Sequence, residues 1–200
     1  MKLYLIRHGQ TDWNLSGKIQ GRQDVPLNET GRKQALSLAE AMDSRPVSLV
    51  FSSPQKRAYE TARAVAERQQ VPLLTVFQLA ELGYGSWEGR TMKEILEHDR
   101  ELYEAWWQEP GLTAPPGGET RRDVERRCQA AWLRMLAGLK EDAAIVTHGG
   151  TLAVLMAQAL QEPQLAGSLM AGNASITTLE YEREIKKFKA LEFGDVKHLM

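Results

Sequence analysis

Four short apolar runs punctuate the chain: Leu3–Ile6, Val47–Phe51, Leu73–Phe77 and Ala143–Thr147. Each is bounded by loops or polar segments, the pattern of strands buried in a parallel sheet. Helical spacing fills the intervals. Thr30 opens one helix, with Ala35, Leu38, Ala39 and Met42 along one face. Pro54 occupies a first-turn position of a second helix, which runs to about residue 68. Val124 to Leu139 makes a third, and Thr151 to Leu160 a fourth that is apolar nearly all round and so expected to be buried. Ala174 to Tyr181 and Ile185 to Phe193 alternate about Glu182-Arg183-Glu184, which predicts a hairpin. Strands alternating with helices predict an α/β sandwich with a largely parallel sheet. Residues 83–120 break the rhythm. They hold Trp87, Trp106 and Trp107 and end in the loop Ala114-Pro115-Pro116-Gly117-Gly118. The stretch reads as an inserted lid within one domain spanning 1–200, with the tryptophans as its core.

Composition narrows the partners more than the fold. With 42% apolar and 26% charged residues over 200 positions, the chain is an ordinary globular protein able to bury a sizeable core. Its 25 basic and 26 acidic residues leave a formal charge of −1, without the basic excess a nucleic-acid or anionic-membrane binder needs. The single cysteine, Cys128, can neither close an internal disulfide nor staff a zinc site. The apolar stretch at the N-terminus is too short for a signal peptide, and no run approaches a membrane span, so a cytoplasmic location is expected.

In an open α/β sheet, ligands bind beyond the carboxyl ends of the strands. The first predicted strand runs into Arg7-His8-Gly9-Gln10-Thr11. The second runs into Ser52-Ser53-Pro54 and a helix start carrying Lys56 and Arg57. The third leads to Glu81, and the fourth runs directly into His148-Gly149-Gly150. Two histidines, two arginines and one carboxylate are thereby delivered toward one edge. Glycines at a helix start admit an anion to free N–H groups, and guanidiniums bind phosphoryl oxygens with paired hydrogen bonds. His98 and His198 follow no strand and are read as incidental. No P-loop, dinucleotide fingerprint, nucleophile elbow or metal-ligand cluster occurs, so phosphate here is expected to be handled without a metal.

These residues carry a resemblance. Leu5-Ile6-Arg7-His8-Gly9-Gln10-Thr11-Asp12-Trp13-Asn14 resembles the signature of the histidine phosphatase superfamily, whose fold is phosphoglycerate mutase-like. Pro26–Gly31, Ser52–Ala62, Glu81–Gly89, Gly117–Thr120 and Thr147–Gly150 resemble its further blocks, in order and over about three quarters of the chain. The resemblance implies a three-layer α/β/α sandwich with a helical lid. It implies that His8 attacks phosphorus to give a phosphohistidine, with its other ring nitrogen held by an acceptor such as a backbone carbonyl. Arg7, Arg57 and His148 would cradle the phosphoryl oxygens. Glu81 would be the general acid. Asn14, Gln20, Gly21 and Gly149 would bind the phosphate or its ester oxygen, and Tyr84 would shape the leaving-group pocket.

Several features resemble phosphatases rather than mutases. Gln10-Thr11 stands where mutases usually carry Glu-Ser, and His148-Gly149-Gly150 where they carry His-Gly-Asn. Met92 falls near a substrate-binding mutase lysine, while Arg121 and Arg122 echo the mutases' paired arginines. The block Gly83–Gly89 is similar to both α-ribazole phosphatases and broad-specificity phosphatases. The expectation is a metal-independent phosphatase that needs no cofactor and acts on a small phosphorylated metabolite, with no nucleic-acid or membrane partner. A homodimer, a phosphoglycerate mutase and an inactive phosphate-binding regulator stay open as alternatives.

Overall fold

The computed structural model describes all 200 residues. In chain order its elements are β1 (Lys2–Arg7), α1 (Asp12–Leu15), α2 (Glu29–Ala41), β2 (Leu49–Ser52), α3 (Lys56–Gln69) and β3 (Leu73–Thr75). Then come α4 (Met92–His98), α5 (Arg100–Gln108), α6 (Arg121–Gly138), β4 (Ala143–Thr147), α7 (Gly149–Leu160) and α8 (Leu165–Ser168), followed by β5 (Ile176–Glu182) and β6 (Lys187–Asp195).

The six strands form one sheet in the order β3-β2-β4-β1-β5-β6. The first four run parallel, and β5 and β6 close it as an antiparallel hairpin. Alternation along the central strands divides the core. Leu3, Leu5, Ala143 and Ile145 face α6 and α7, while Tyr4, Ile6, Ala144 and Val146 face α2 and α3. Both faces are covered, which is why these strands read as continuous apolar runs rather than alternating ones. The result is a three-layer α/β/α sandwich.

Topology decides where a site can form. The connection from β1 leads toward β2, on one side of the sheet, whereas that from β4 leads to β5 on the other. The chain therefore diverges at the carboxyl ends of β1 and β4 and leaves a crevice there. Parallel register places Arg7 opposite Thr147. One further bond, from the His8 N–H to the Thr147 carbonyl at 3.0 Å, brings His8 level with His148.

Some boundaries differ from the sequence reading. Helix α2 begins before Thr30, because Asn28 caps it by accepting from the Gly31 N–H at 2.8 Å. Pro54 lies ahead of α3 rather than in its first turn, since Gln55 is still extended and Lys56 is the first helical residue. Thr120 starts α6 early through a capping box with Asp123. The Leu73–Phe77 run is a strand only to Thr75 and turns into a 3-10 segment at Phe77–Leu79. As the sheet's edge, β3 is not buried, and Leu74 is 49% exposed. The three tryptophans pack in one aromatic cluster with Tyr103, but burial falls along it: Trp87 is fully buried, Trp106 is half-buried, and Trp107 is 61% exposed on α5.

The start of α2 packs directly on the loop that follows β1. A Cβ at Gly9 would lie 2.6 Å from the Gly31 carbonyl oxygen, and one at Gly31 would overlap the Gln10 carbonyl. Only two glycines allow this backbone-to-backbone approach. Gly31→Ala is therefore expected to cost about 1–3 kcal/mol in urea unfolding, through forced displacement of the Gly9–Gln10 loop. The same variant should lose activity, because that loop carries His8.

Candidate active site

His8 and His148 lie side by side at the crevice, ring centroids 5.1 Å apart, and both are buried. The environment fixes the tautomer of His8. Its Nδ1 is 2.7 Å from the Gly9 carbonyl oxygen, which can only accept, so Nδ1 carries the hydrogen. Its Nε2 accepts from the Arg57 Nε–H at 3.2 Å and is therefore a lone pair. Burial, reinforced by Arg57 and Arg7, holds the ring's pKa well below the usual histidine value. The loop itself is anchored on several sides. The Gly9 N–H donates to Thr61 Oγ1 at 3.1 Å, and the His8 carbonyl accepts from Asn173 Nδ2 at 3.0 Å and from the Ala174 N–H at 3.1 Å.

Arg7 and Arg57 are satisfied in an unusual way. Arg57, 1% exposed, donates to the carbonyls of Gln23 at 2.7 Å and Gly21 at 2.9 Å. Arg7 donates from Nη1 to the Ala171 carbonyl at 2.6 Å, while its buried Nε has no partner. Neither forms a salt bridge, whereas Arg22, Arg45, Arg68, Arg90 and Arg127 all do. Carbonyl dipoles orient a guanidinium without neutralising it, so the crevice keeps its positive charge for an anion. Burial lowers Arg57 to about 10, which leaves it charged at neutral pH.

His148 is the residue before α7. Its Nε2 lies 2.7 Å from the buried Ser53 hydroxyl, and its Nδ1 is buried without a partner. Burial, together with Arg57 and His8, keeps this ring neutral as well. Glu81, 9% exposed, reaches the same place from the segment after β3. Its carboxylate accepts from the N–H groups of Gly150 at 3.1 Å and Thr151 at 2.9 Å, at the start of α7. Arg127 steadies the chain just before it through the Gln78 and Ala80 carbonyls, each at 2.6 Å, and is itself held by Glu119.

Arg7, His8, Arg57 and Glu81 line a cavity of about 580 Å³ with Asn14, Gln20, Gly21, Tyr84 and Gly149, while His148 lies fully buried behind His8 rather than in its wall. Asn14 uses Oδ1 to accept from the Thr11 N–H at 3.1 Å, which turns its amide N–H groups to other work. Gln20 Oε1 is buried without a partner. Burial and the nearby Glu81 charge push the Tyr84 phenol upward, so it stays protonated. Beyond the charged end, the wall is formed by Met92, Trp106, Trp107, Lys18 and Arg121. Arg122 instead lines a second cavity, of about 830 Å³, outside the site between α6, α7 and the β5–β6 hairpin. The two arginines adjacent in sequence are therefore not paired in the site.

Ser53, Gln55, Thr61, Thr151 and Asn173 had not been marked as site residues. Ser53, Gln55 and Thr61 lie inside a recognised block, and Thr151 follows the second histidine, so position was a usable signal for these four. Asn173 had none, because only the fold brings the loop before β5 to His8. Cys128 is buried in α6, and burial pushes its thiol to about 12, so it is inert. His198 binds the Ala174 carbonyl at 3.0 Å. No group of three or more His, Cys, Asp or Glu is arranged to hold a metal ion, and no helix is long and apolar enough to cross a membrane.

Neutral buried histidines make stability depend on pH with a definite sign. Between the lowered folded pKa and the unfolded value near 6.5, the unfolded chain binds more protons, so stability falls as pH drops through that window. The protein should therefore be less stable at pH 5.5 than at pH 7.5. Urea titrations at the two pH values test this, and His8→Asn should flatten the dependence.

Comparison with known proteins identifies the family. The family model described as the histidine phosphatase superfamily (branch 1) matches residues 3–193. A glucosyl-3-phosphoglycerate phosphatase of Mycobacterium tuberculosis is 35% identical over 189 residues, covering 89% of this chain and 84% of that protein. A metal-independent phosphoserine phosphatase of Arabidopsis thaliana is 36% identical over 203 residues, covering 99% and 83%. The crystal structure of the α-ribazole phosphatase from Shigella flexneri superposes with a TM-score of 0.88 at 27% identity, covering 98% of this chain and 96% of that one. The chain belongs to the histidine phosphatase superfamily (branch 1), as a phosphoric monoester hydrolase.

Proposed function

We propose that the protein hydrolyses small phosphomonoesters through a phosphohistidine formed on His8, with no cofactor or metal ion. The observation that carries this reading is the state of His8. It is a neutral ring with its proton pinned on Nδ1, and its Nε2 lone pair stands among guanidiniums that have no carboxylate partner. The Nε2 lone pair attacks phosphorus in line with the departing oxygen. Arg7, Arg57 and His148 meet the charge that collects on the equatorial oxygens. Asn14, Gln20, Gly21 and Gly149 complete the phosphate pocket. Glu81 protonates the leaving oxygen and then assists the water that hydrolyses the N–P bond.

The leaving group occupies the remainder of the cavity under the segment 83–120, which acts as a lid. That space is far larger than a phosphate needs. Its wall combines rings (Tyr84, Trp106, Trp107) with cations (Lys18, Arg121). This mixture suits organic leaving groups that carry a ring or a second anionic group, such as α-ribazole phosphate, within a broad specificity. The separation of Arg121 from Arg122 speaks against a mutase, which must grip and turn a bisphosphate.

His8→Ala should lower phosphate release from p-nitrophenyl phosphate by roughly 10³-fold or more, measured in EDTA. Acid-labile, base-stable labelling by a radioactive phosphoester should vanish with it. Labelled His8→Ala, or wild-type activity lost to EDTA and restored by a divalent metal, would defeat the mechanism. For Glu81→Gln, glycerol 3-phosphate turnover should fall about 10²-fold or more, whereas p-nitrophenyl phosphate, whose leaving group needs little protonation, should lose far less. Equal losses on both substrates would remove Glu81 from the role of acid.

A further inference from the structure

The carboxyl group of Glu81 is held asymmetrically. Oε1 accepts two N–H hydrogen bonds, from Leu82 at 2.9 Å and Thr151 at 2.9 Å, and lies 3.1 Å from the Thr151 hydroxyl oxygen. Oε2 accepts one, from the Gly150 N–H at 3.1 Å. Two N–H donors occupy both lone pairs of Oε1, whereas Oε2 keeps a free lone pair beside the cavity that His8 and Arg7 line.

The donors belong to the first turn of α7. His148 stands at the N-cap of that helix but makes no side-chain capping bond, its Nε2 being engaged with Ser53. The orphan N–H groups of the helix are capped instead by a carboxylate from a distant part of the sequence. The Thr151 hydroxyl tightens this arrangement. It is fully buried and donates its one hydrogen to the Ala80 carbonyl at 2.8 Å, so Thr151 ties the backbone of the Ala80–Glu81 segment to α7 through its hydroxyl and the carboxyl through its N–H.

We propose that Thr151 is a positioning residue for proton transfer, which with the first N–H groups of α7 fixes Glu81 Oε1 so that Oε2 carries the proton to the leaving oxygen. This rests on Glu81 as the general acid. In the first step the His8 Nε2 lone pair forms the N–P bond. The P–O bond breaks with its electron pair going to the leaving oxygen, and that oxygen takes the proton from Oε2. Glu81 is left as a carboxylate facing three N–H donors already in place, which stabilise its charge as it develops. In the second step water attacks phosphorus, the N–P bond breaks with its electron pair returning to His8 Nε2, and the water gives a proton to Oε2. The acid and His148 are thereby referenced to the same helical turn.

The test compares kcat for glycerol 3-phosphate and p-nitrophenyl phosphate in Thr151→Val, Thr151→Ser and Glu81→Gln. Valine keeps the shape and removes the hydroxyl. It should lower kcat for glycerol 3-phosphate by roughly 10-fold, with a loss several times smaller for p-nitrophenyl phosphate and KM little altered for either. Serine should restore the glycerol 3-phosphate rate to within a few-fold of wild type. Should the valine variant fail to fold, Thr151→Ala gives the same comparison. Equal losses on both substrates, no loss on either, or no rescue by serine would overturn the proposal. The two readings fail separately. If Glu81→Gln itself shows no preference for the better leaving group, the acid assignment is wrong; if it does and Thr151→Val does not, only the role of Thr151 is wrong.

Discussion

The chemistry of this site depends on one hydrogen bond, from His8 Nδ1 to the carbonyl of the next residue, Gly9. A histidine beside two arginines in a buried crevice has every reason to stay neutral, but neutrality alone does not select the reacting nitrogen. The carbonyl does, because it accepts and never donates. With the proton committed to Nδ1, Nε2 keeps the lone pair that the proposed attack on phosphorus uses, and Arg57 can point a donor at it. The rest of the loop exists to keep that carbonyl in place: Thr61 holds the Gly9 N–H, Asn173 holds the His8 carbonyl, and Gly31 makes room.

The second constraint is electrostatic. Burying a guanidinium is costly unless its N–H groups are met, and a carboxylate would be the common solution. Here backbone carbonyls from Gly21, Gln23 and Ala171 meet Arg57 and Arg7. Desolvation is offset without the charge being spent. Glu81, the one carboxylate at the crevice, has its own donors at the start of α7, so it too is satisfied without pairing to either arginine. The shape of the loops that supply these carbonyls therefore sets the potential at the crevice.

The central strands and the site core were legible in the sequence for a physical reason. Strands buried on both faces must be apolar throughout, and a polar residue directly after such a run lies at the sheet's carboxyl edge. Arg7-His8 and His148-Gly149 satisfy both conditions, and parallel pairing of β1 with β4 does the rest. Edge strand β3 escaped the same logic, since an edge has only one buried side and Leu74 could stay in water. Helix starts were misplaced by reading apolar period before capping residues, although Asn28 and Thr120 were there to be read. Trp107 shows a further limit: an aromatic residue on a short helix can face the core or the cavity mouth, and the period of so short an element does not decide which. Asn173 was out of reach because its partners, His8 and Asn14, are more than 150 positions away.

The carbonyl-held arginines have a consequence for the end of the reaction cycle. A cradle whose charge is set in advance does not relax when the ester bond breaks. Inorganic phosphate differs from the phosphoryl group of the substrate by one oxygen, and it meets the same guanidiniums in the same orientation. The features that ease bond cleavage therefore slow the departure of the product. Under the proposed mechanism, free phosphate would then restrain the rate by occupying the cradle itself.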